Sequence, residues 1–287
     1  MAIRAGFVGL GNIGKPMAER LVAAGLPTTV FDIAEGPVRE LAEAGASAAA
    51  SLAELAAAAD VIGVCVRDDD DVRQVVTGAD GLLTGAAAGT VIAVHSTIQP
   101  GTVKEVATAA AGRGVGLVDA CITGGQAGAQ QGTLTYMVGG DAEHLERCRP
   151  VFETSAAKII HTGPLGTGAA IKLCNNLMTY QSFLAAFEAT LLARNAGLSQ
   201  EVLESVGRSN GVMTEQMLMF VALHKLPDDT RSDAGFQDHV RAFTALAEKD
   251  LGATLALARE HGVALPGTAL CQQLMARVYG LDDENRR

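Results

Sequence analysis

Three separated groups of residues in this 287-residue chain have the types and spacing that chemistry requires. The first is Gly9-x-Gly11-x-x-Gly14, which follows an apolar run and opens a helical pattern. In such a turn the first glycine permits the tight bend, the second lets the backbone approach a pyrophosphate, and the third allows close helix–strand packing. The helix start then presents free N–H groups and a partial positive charge to the phosphates. Asp32, about 20 positions on at the end of the second apolar run, completes the dinucleotide pattern. Its carboxylate can accept hydrogen bonds from ribose hydroxyls and repel a 2′-phosphate. Phe31 and Ile33 flank it, so no adjacent arginine waits for that phosphate, and NAD is expected over NADP. The second group is Thr123-Gly124-Gly125, with Gly128. Serial glycines expose consecutive N–H groups that can hold a carboxylate, although the same residues also suit a plain loop. The third is Lys172, with Asn176 one helical turn later. A lysine on an apolar helix is costly unless it snorkels, pairs or lines a site. Burial in a cleft would lower its pKa toward neutrality, as proton transfer needs, while Asn176 offers both a donor and an acceptor. Together the three groups imply a hydride moved between a nicotinamide and a small hydroxy acid.

The elements that must position these groups change character part-way along the chain. Up to about residue 160, short apolar runs at 3–8, 28–31, 61–66, 91–94, 117–119 and 134–138 alternate with Ala-rich helical segments at 13–24, 37–44, 51–58 and 72–76. That alternation predicts βαβ units in a largely parallel, doubly wound sheet of α/β class. Continuous hydrophobicity in the strands fits a sheet covered on both faces. From 169 the helical period takes over, with a long helix to about 195 that is apolar on nearly every side and therefore suits burial between domains or subunits. Further helices are expected at 200–207, 213–224, 243–261 and 268–279, with a polar loop at 225–238. Met213, Met217 and Met219 read as core filler on one of these helices. The expected division is a Rossmann dinucleotide domain over 1–162 and an all-helical domain for substrate and oligomerisation over 163–287.

Composition excludes several classes of function. The net charge is −10 and the longest basic run is Arg286-Arg287. Phosphate neutralisation along a nucleic acid needs a basic stripe, so no nucleic-acid partner is expected. The five cysteines are scattered without metal-type spacing, which fits reduced thiols in a cytoplasmic protein and no metal site. No stretch reaches the roughly 18 apolar residues of a membrane span, and the amino terminus runs straight into a strand pattern without room for a signal peptide. His95 ends the fourth apolar run, where a structural role outweighs a ligand role. The acidic run 68–71 reads as a solvated loop and helix start.

With these residues assembled, the chain resembles the β-hydroxyacid dehydrogenases, the family that includes 3-hydroxyisobutyrate dehydrogenase and tartronate semialdehyde reductase. The likeness runs through nearly the whole chain. It rests on the segment 7–18 around the glycine turn, on 119–129 with 132–140, on 163–168 with 172–176, and on Lys249-Asp250-Leu251. The resemblance implies Lys172 as general acid/base, Asn176 as a substrate contact, and Thr123 and Gly124, with Gly125, around the substrate carboxylate. The family usually has a serine where this chain has Thr123. Thr97 would lie by the nicotinamide, and Lys249 would close over cofactor and substrate. The full cofactor set expected is Gly9, Gly11, Asn12, Ile13, Gly14, Asp32, Val66, Arg67, Thr97 and Lys249. Homodimers or homotetramers are implied. Imine reduction on the same scaffold and a non-catalytic nucleotide-binding role are the alternatives, and retention of Lys172 argues against both. Two departures stand out: His95 where the family commonly has Asp, and Gln126 where it often has a small apolar residue.

Overall fold

The computed structural model describes residues 2–283 and Arg286. Met1, Glu284, Asn285 and Arg287 lie outside the described residues, and with them the first residue of the expected 1–162 domain and half of the terminal arginine pair. The chain divides into two compact units, Met1–Lys172 and Leu173–Arg287.

The first unit is built on one eight-stranded sheet in the order β3-β2-β1-β4-β5-β6-β7-β8. Its strands are β1 (Ala5–Val8), β2 (Thr28–Phe31), β3 (Ser47–Ala48), β4 (Val61–Val64), β5 (Val91–Val94), β6 (Gly116–Thr123), β7 (Leu134–Gly139) and β8 (Ala156–Gly163). Its helices are α1 (Gly14–Ala23), α2 (Glu35–Glu43), α3 (Leu52–Ala58), α4 (Asp69–Thr77), α5 (Pro100–Ala111), α6 (Gly125–Gln131) and α7 (Ala142–Phe152). Every strand pairing is parallel except β6 with β7. β1, β4 and β5 are buried at every position because both faces are covered. Alternate residues feed separate cores: Phe7, Val61, Val91 and Val118 pack on one face, while Val8, Ile62, Ile92 and Leu117 pack on the other. β1 lies between β2 and β4, so the chain order reverses there. A doubly wound sheet opens its ligand crevice at such a switch point, beyond the carboxyl ends of the strands.

The second unit contains the rest of the long helix α8 (Thr167–Asn195), then α9 (Gln200–Ser209), α10 (Glu215–Leu223), α11 (Asp228–Arg231), α12 (Ala234–Glu260) and α13 (Pro266–Tyr279). Its core is aromatic and aliphatic: Phe183 stacks on Phe220 with ring centroids 4.6 Å apart, and Leu251, Cys271 and Met275 are fully buried. Met213 and Met217 belong to this core, but Met219 is exposed. The stretch 225–238, expected as a loop, instead holds α11 and the start of α12. Asp233 caps α12 by accepting from Phe236 N–H at 3.2 Å, a local signal that outweighs the polar composition of the segment. The apolar face expected to be covered on α8 remains open at Met178 and Leu192.

Candidate active site

The glycine turn folds as its spacing requires. Gly9 has φ +89°, and a Cβ there would lie 2.2 Å from Cys65 O. Gly14 has no room either, since its Cβ would meet Gly9 O at 1.9 Å. Gly11 differs: a Cβ would meet nothing within 4 Å, so its backbone faces open space. The N-cap of α1 is Ile13, which has no side-chain acceptor to occupy the free N–H groups. This is the open, donor-lined cradle a pyrophosphate needs, and a dinucleotide fits the residues present. Asp32 sits at the end of β2. Its Oδ2 accepts from Leu10 N–H at 2.5 Å and its Oδ1 from Ala34 N–H at 2.8 Å. The carboxylate therefore ties the glycine turn to β2 while staying partly exposed, with each oxygen retaining acceptor capacity.

Across the switch point, Val66 and Arg67 follow β4. Ser96 holds Val66 from both sides, donating to Val66 O at 2.8 Å and accepting from Val66 N–H at 2.9 Å. It sits beside Thr97, and no local pattern in the sequence pairs it with Val66, 30 residues away. Arg67 is exposed and makes a bidentate pair with Asp71 at 2.7 and 2.9 Å. In the acidic run, Asp68 caps α4 through Asp71 N–H, and Asp69 accepts from Gln99 N–H and Thr102 Oγ1. These carboxylates are structural.

His95 does not reach the crevice. It is 4% exposed, with its ring stacked on Phe7 and edge-on to Tyr136 and Phe152. Nδ1 lies 2.8 Å from Ala120 O. Gly63 leaves the space it needs, since a Cβ there would lie 3.0 Å from Nε2. Burial drives its pKa down to about 4, against a smaller opposing effect of the bond to Ala120.

β6 runs four residues beyond the expected 117–119 segment and ends at Thr123. Gly124 (φ +127°) and Gly125 (φ +63°) then turn the chain into α6. Gly124, Gly125 and Gln126 are exposed, leaving the loop's backbone accessible. Further back on the same strand Asp119 is 1% exposed. Its Oδ1 accepts from Gly166 N–H at 2.8 Å and its Oδ2 from Ala169 N–H at 2.7 Å. Burial raises its carboxyl above the ordinary range, while these N–H donors pull the other way. The division between the two units falls inside α8, directly after Lys172.

Lys172 is half-buried, and Asn176 is 8% exposed. Their spacing of four residues puts both on one side of α8. Within the second unit, Asn176 Nδ2 donates to Asp250 Oδ2 at 2.7 Å, and Tyr180 Oη donates to the same oxygen at 3.2 Å. Lys249 Nζ lies 2.8 Å from Asp250 Oδ1. Asp250, 1% exposed, thus fixes the amide of Asn176 and draws Lys249 to it. One N–H of Asn176 is committed and one is left for other use.

The chain is similar to known proteins along nearly its whole length. Residues 4–163 match the NAD binding domain of 6-phosphogluconate dehydrogenase. Residues 166–285 match the NAD-binding family model of NADP-dependent 3-hydroxyisobutyrate dehydrogenase. The chain belongs to the β-hydroxyacid dehydrogenase family. It is 35% identical to a 3-hydroxyisobutyrate dehydrogenase of Pseudomonas aeruginosa over 97% of this chain and 93% of that one. It is 42% identical to an NAD-dependent L-serine dehydrogenase of the same organism over 71% of this chain and 69% of the relative. Among solved structures, 3-hydroxyisobutyrate dehydrogenase of Mycobacterium tuberculosis with L-serine superposes with a TM-score of 0.82 at 32% identity. That match covers 98% of this chain and 94% of the other.

Proposed function

We propose that this protein is a dehydrogenase of small 3-hydroxy acids, oxidising the hydroxyl carbon or reducing the corresponding semialdehyde or keto acid. Lys172 is its general acid/base. A bound nicotinamide dinucleotide supplies the chemistry of accepting or returning the hydride. In the oxidative direction Lys172 Nζ, unprotonated, takes the hydroxyl proton; in the reverse direction protonated Nζ polarises the carbonyl and returns that proton. A positioned acid/base of this kind contributes about 10²–10⁴ in rate. The backbone and side chain of Thr123, Gly124 and Gly125 hold the substrate carboxylate, and the uncommitted N–H of Asn176 orients the substrate. Gly9, Gly11, Asn12, Ile13 and Gly14 hold the pyrophosphate, with Val66, Arg67 and Thr97 along the far side of the crevice and Lys249 closing on cofactor and substrate. NAD is the preferred cofactor, a reading supported by the partly exposed carboxylate of Asp32 at the end of β2, which would repel a 2′-phosphate.

The observation that carries this reading is Lys172 one helical turn from a buried asparagine whose amide is fixed by Asp250. A merely solvated lysine needs no such neighbour. Self-association to a homodimer or homotetramer is supported by the apolar residues left open on the helical unit, Leu192, Leu198, Val202 and Val206 among them. The scattered cysteines, which lack metal-type spacing, support a cytoplasmic location. The test is nicotinamide absorbance with NAD or NADP and a panel of 3-hydroxyisobutyrate, L-serine, glycerate and 3-hydroxypropionate. Turnover of at least one acid with NAD favoured is expected; silence across the panel, or preference for NADP, would overturn the corresponding part of the reading.

A further inference from the structure

The start of α8 is held in an unusual way. Helix N-termini are commonly capped by a serine, threonine or aspartate next to them in sequence. Thr167 is available, but its Oγ1 lies 2.7 Å from both Thr162 Oγ1 and Pro164 O. The N–H groups of Gly166 and Ala169 go instead to Asp119, 47 and 50 residues away in the middle of β6. Burying a carboxylate is costly unless donors and the helix dipole compensate it, and the surrounding backbone is shaped to bring them in. A Cβ at Gly139 would lie 2.6 Å from Asp119 Oδ1. One at Gly168 would lie 2.5 Å from Met137 O and 2.6 Å from Asp119 O. Ala169, next in the chain, is buried in the core under this face of the sheet, with Leu117 and Cys121. Residues 119, 121 and 123 share one face of the strand, because side chains alternate along it.

We propose that Asp119 is the positioning residue for Lys172, pinning the first turn of α8 to β6 so that a single strand sets both the amine and the anion loop at Thr123. Lys172 follows Ala169 by three residues, less than one helical turn. The pin therefore fixes its backbone directly, and the amine is carried by the dinucleotide unit. The kinetic part of this proposal rests on the role assigned to Lys172 above.

Asp119→Asn is the variant that tests it. The amide keeps one acceptor but presents its NH2 to a second backbone N–H, so one of the two anchors is lost. Gly168→Ala attacks the same joint from the helix side and leaves the carboxylate in place. For each, kcat and KM would be measured with NAD and L-serine or 3-hydroxyisobutyrate, NADH affinity by titration, and amide exchange over 166–173 by mass spectrometry. A displacement near 1 Å costs about 10²-fold. The expected result is a kcat lowered by about 10- to 100-fold, with KM and NADH affinity within a few-fold and faster exchange confined to 166–173. Unchanged exchange in both variants would overturn the pin. Faster exchange with wild-type kcat would overturn the positioning role. Loss of native circular dichroism and NADH binding in both would also overturn it, making the joint a general folding determinant. If wild-type protein shows no lysine-dependent turnover of hydroxy acids, the functional reading fails by itself, and the exchange data still decide the pin.

Discussion

Lowering the pH from 7.5 to 4.5 should destabilise the dinucleotide unit through one side chain, His95. Its imidazole is enclosed by Phe7, Tyr136 and Phe152 and its folded pKa lies at about 4, against 6.5 for the free group. The unfolded chain therefore takes up a proton first as the pH falls. Stability from the neutral, buried ring is fully present above pH 6.5, declines as the pH drops from there toward 4, and is lost below 4. A shift of this size at 1.36 kcal/mol per unit makes the whole effect about 3 kcal/mol, of which about 2.5 kcal/mol is spent by pH 4.5. For a unit of this size that corresponds to roughly 5–10 °C in Tm. The assay is thermal unfolding followed by circular dichroism, since the chain has no tryptophan, on wild-type protein and His95→Gln across pH 7.5–4. Other groups titrate in both proteins, so the difference isolates His95. Glutamine can still donate to Ala120 O but cannot ionise, and the variant should lose less Tm than the wild type over this range. Equal losses in the two proteins would refute the argument.

The remaining expectations concern the cofactor cradle and the Asp250 network. Gly14→Ala forces a Cβ onto Gly9 O and should cost about 1–3 kcal/mol of stability. Gly11→Ala meets no protein atom, so it should leave Tm unchanged while weakening NADH binding; a fallen Tm with intact binding would contradict the cradle. Asp32→Ala should raise the ratio of kcat/KM for NADP over NAD by about tenfold or more, each tenfold being about 1.4 kcal/mol, and an unmoved ratio would remove Asp32 from cofactor choice. Asp250→Ala removes the acceptor shared by Asn176 and Tyr180 and the carboxylate beside Lys249. It should destabilise the helical unit by about 2–6 kcal/mol, two buried donors left unsatisfied at about 1–3 kcal/mol each, read by denaturant unfolding, and a wild-type midpoint would show that the network contributes little.

The parts of the fold readable in the sequence were those whose signal is local. The runs that became β2 and β5 matched in their limits: β5 is continuously apolar because both of its faces are covered, and β2 is short and β-branched. β3 was hidden because two residues, Ser47 and Ala48, lie in an Ala-rich stretch that favours helix, and only pairing with β2 makes them a strand. β8 was hidden for the opposite reason. As an edge strand it is exposed at four of its eight positions and carries Lys158 and His161, so it lacks the apolar signature of its neighbours. At the site, the glycine spacing dictated its own backbone geometry, whereas the roles of Asp119 and Asp250 depend on partners 47 and 74 residues away. Each could have been suspected as a carboxylate among apolar neighbours, in the β6 run and beside Leu251. Neither could have been matched to its partner without the fold.

The most direct test of the central claim is Lys172→Ala, assayed beside wild type with NAD and whichever hydroxy acid the wild type oxidises, with NADH affinity measured on the same preparations. Turnover should be abolished while NADH binds within a few-fold of wild type. Substantial residual turnover by the variant would contradict the assignment of Lys172 as the group that moves the proton.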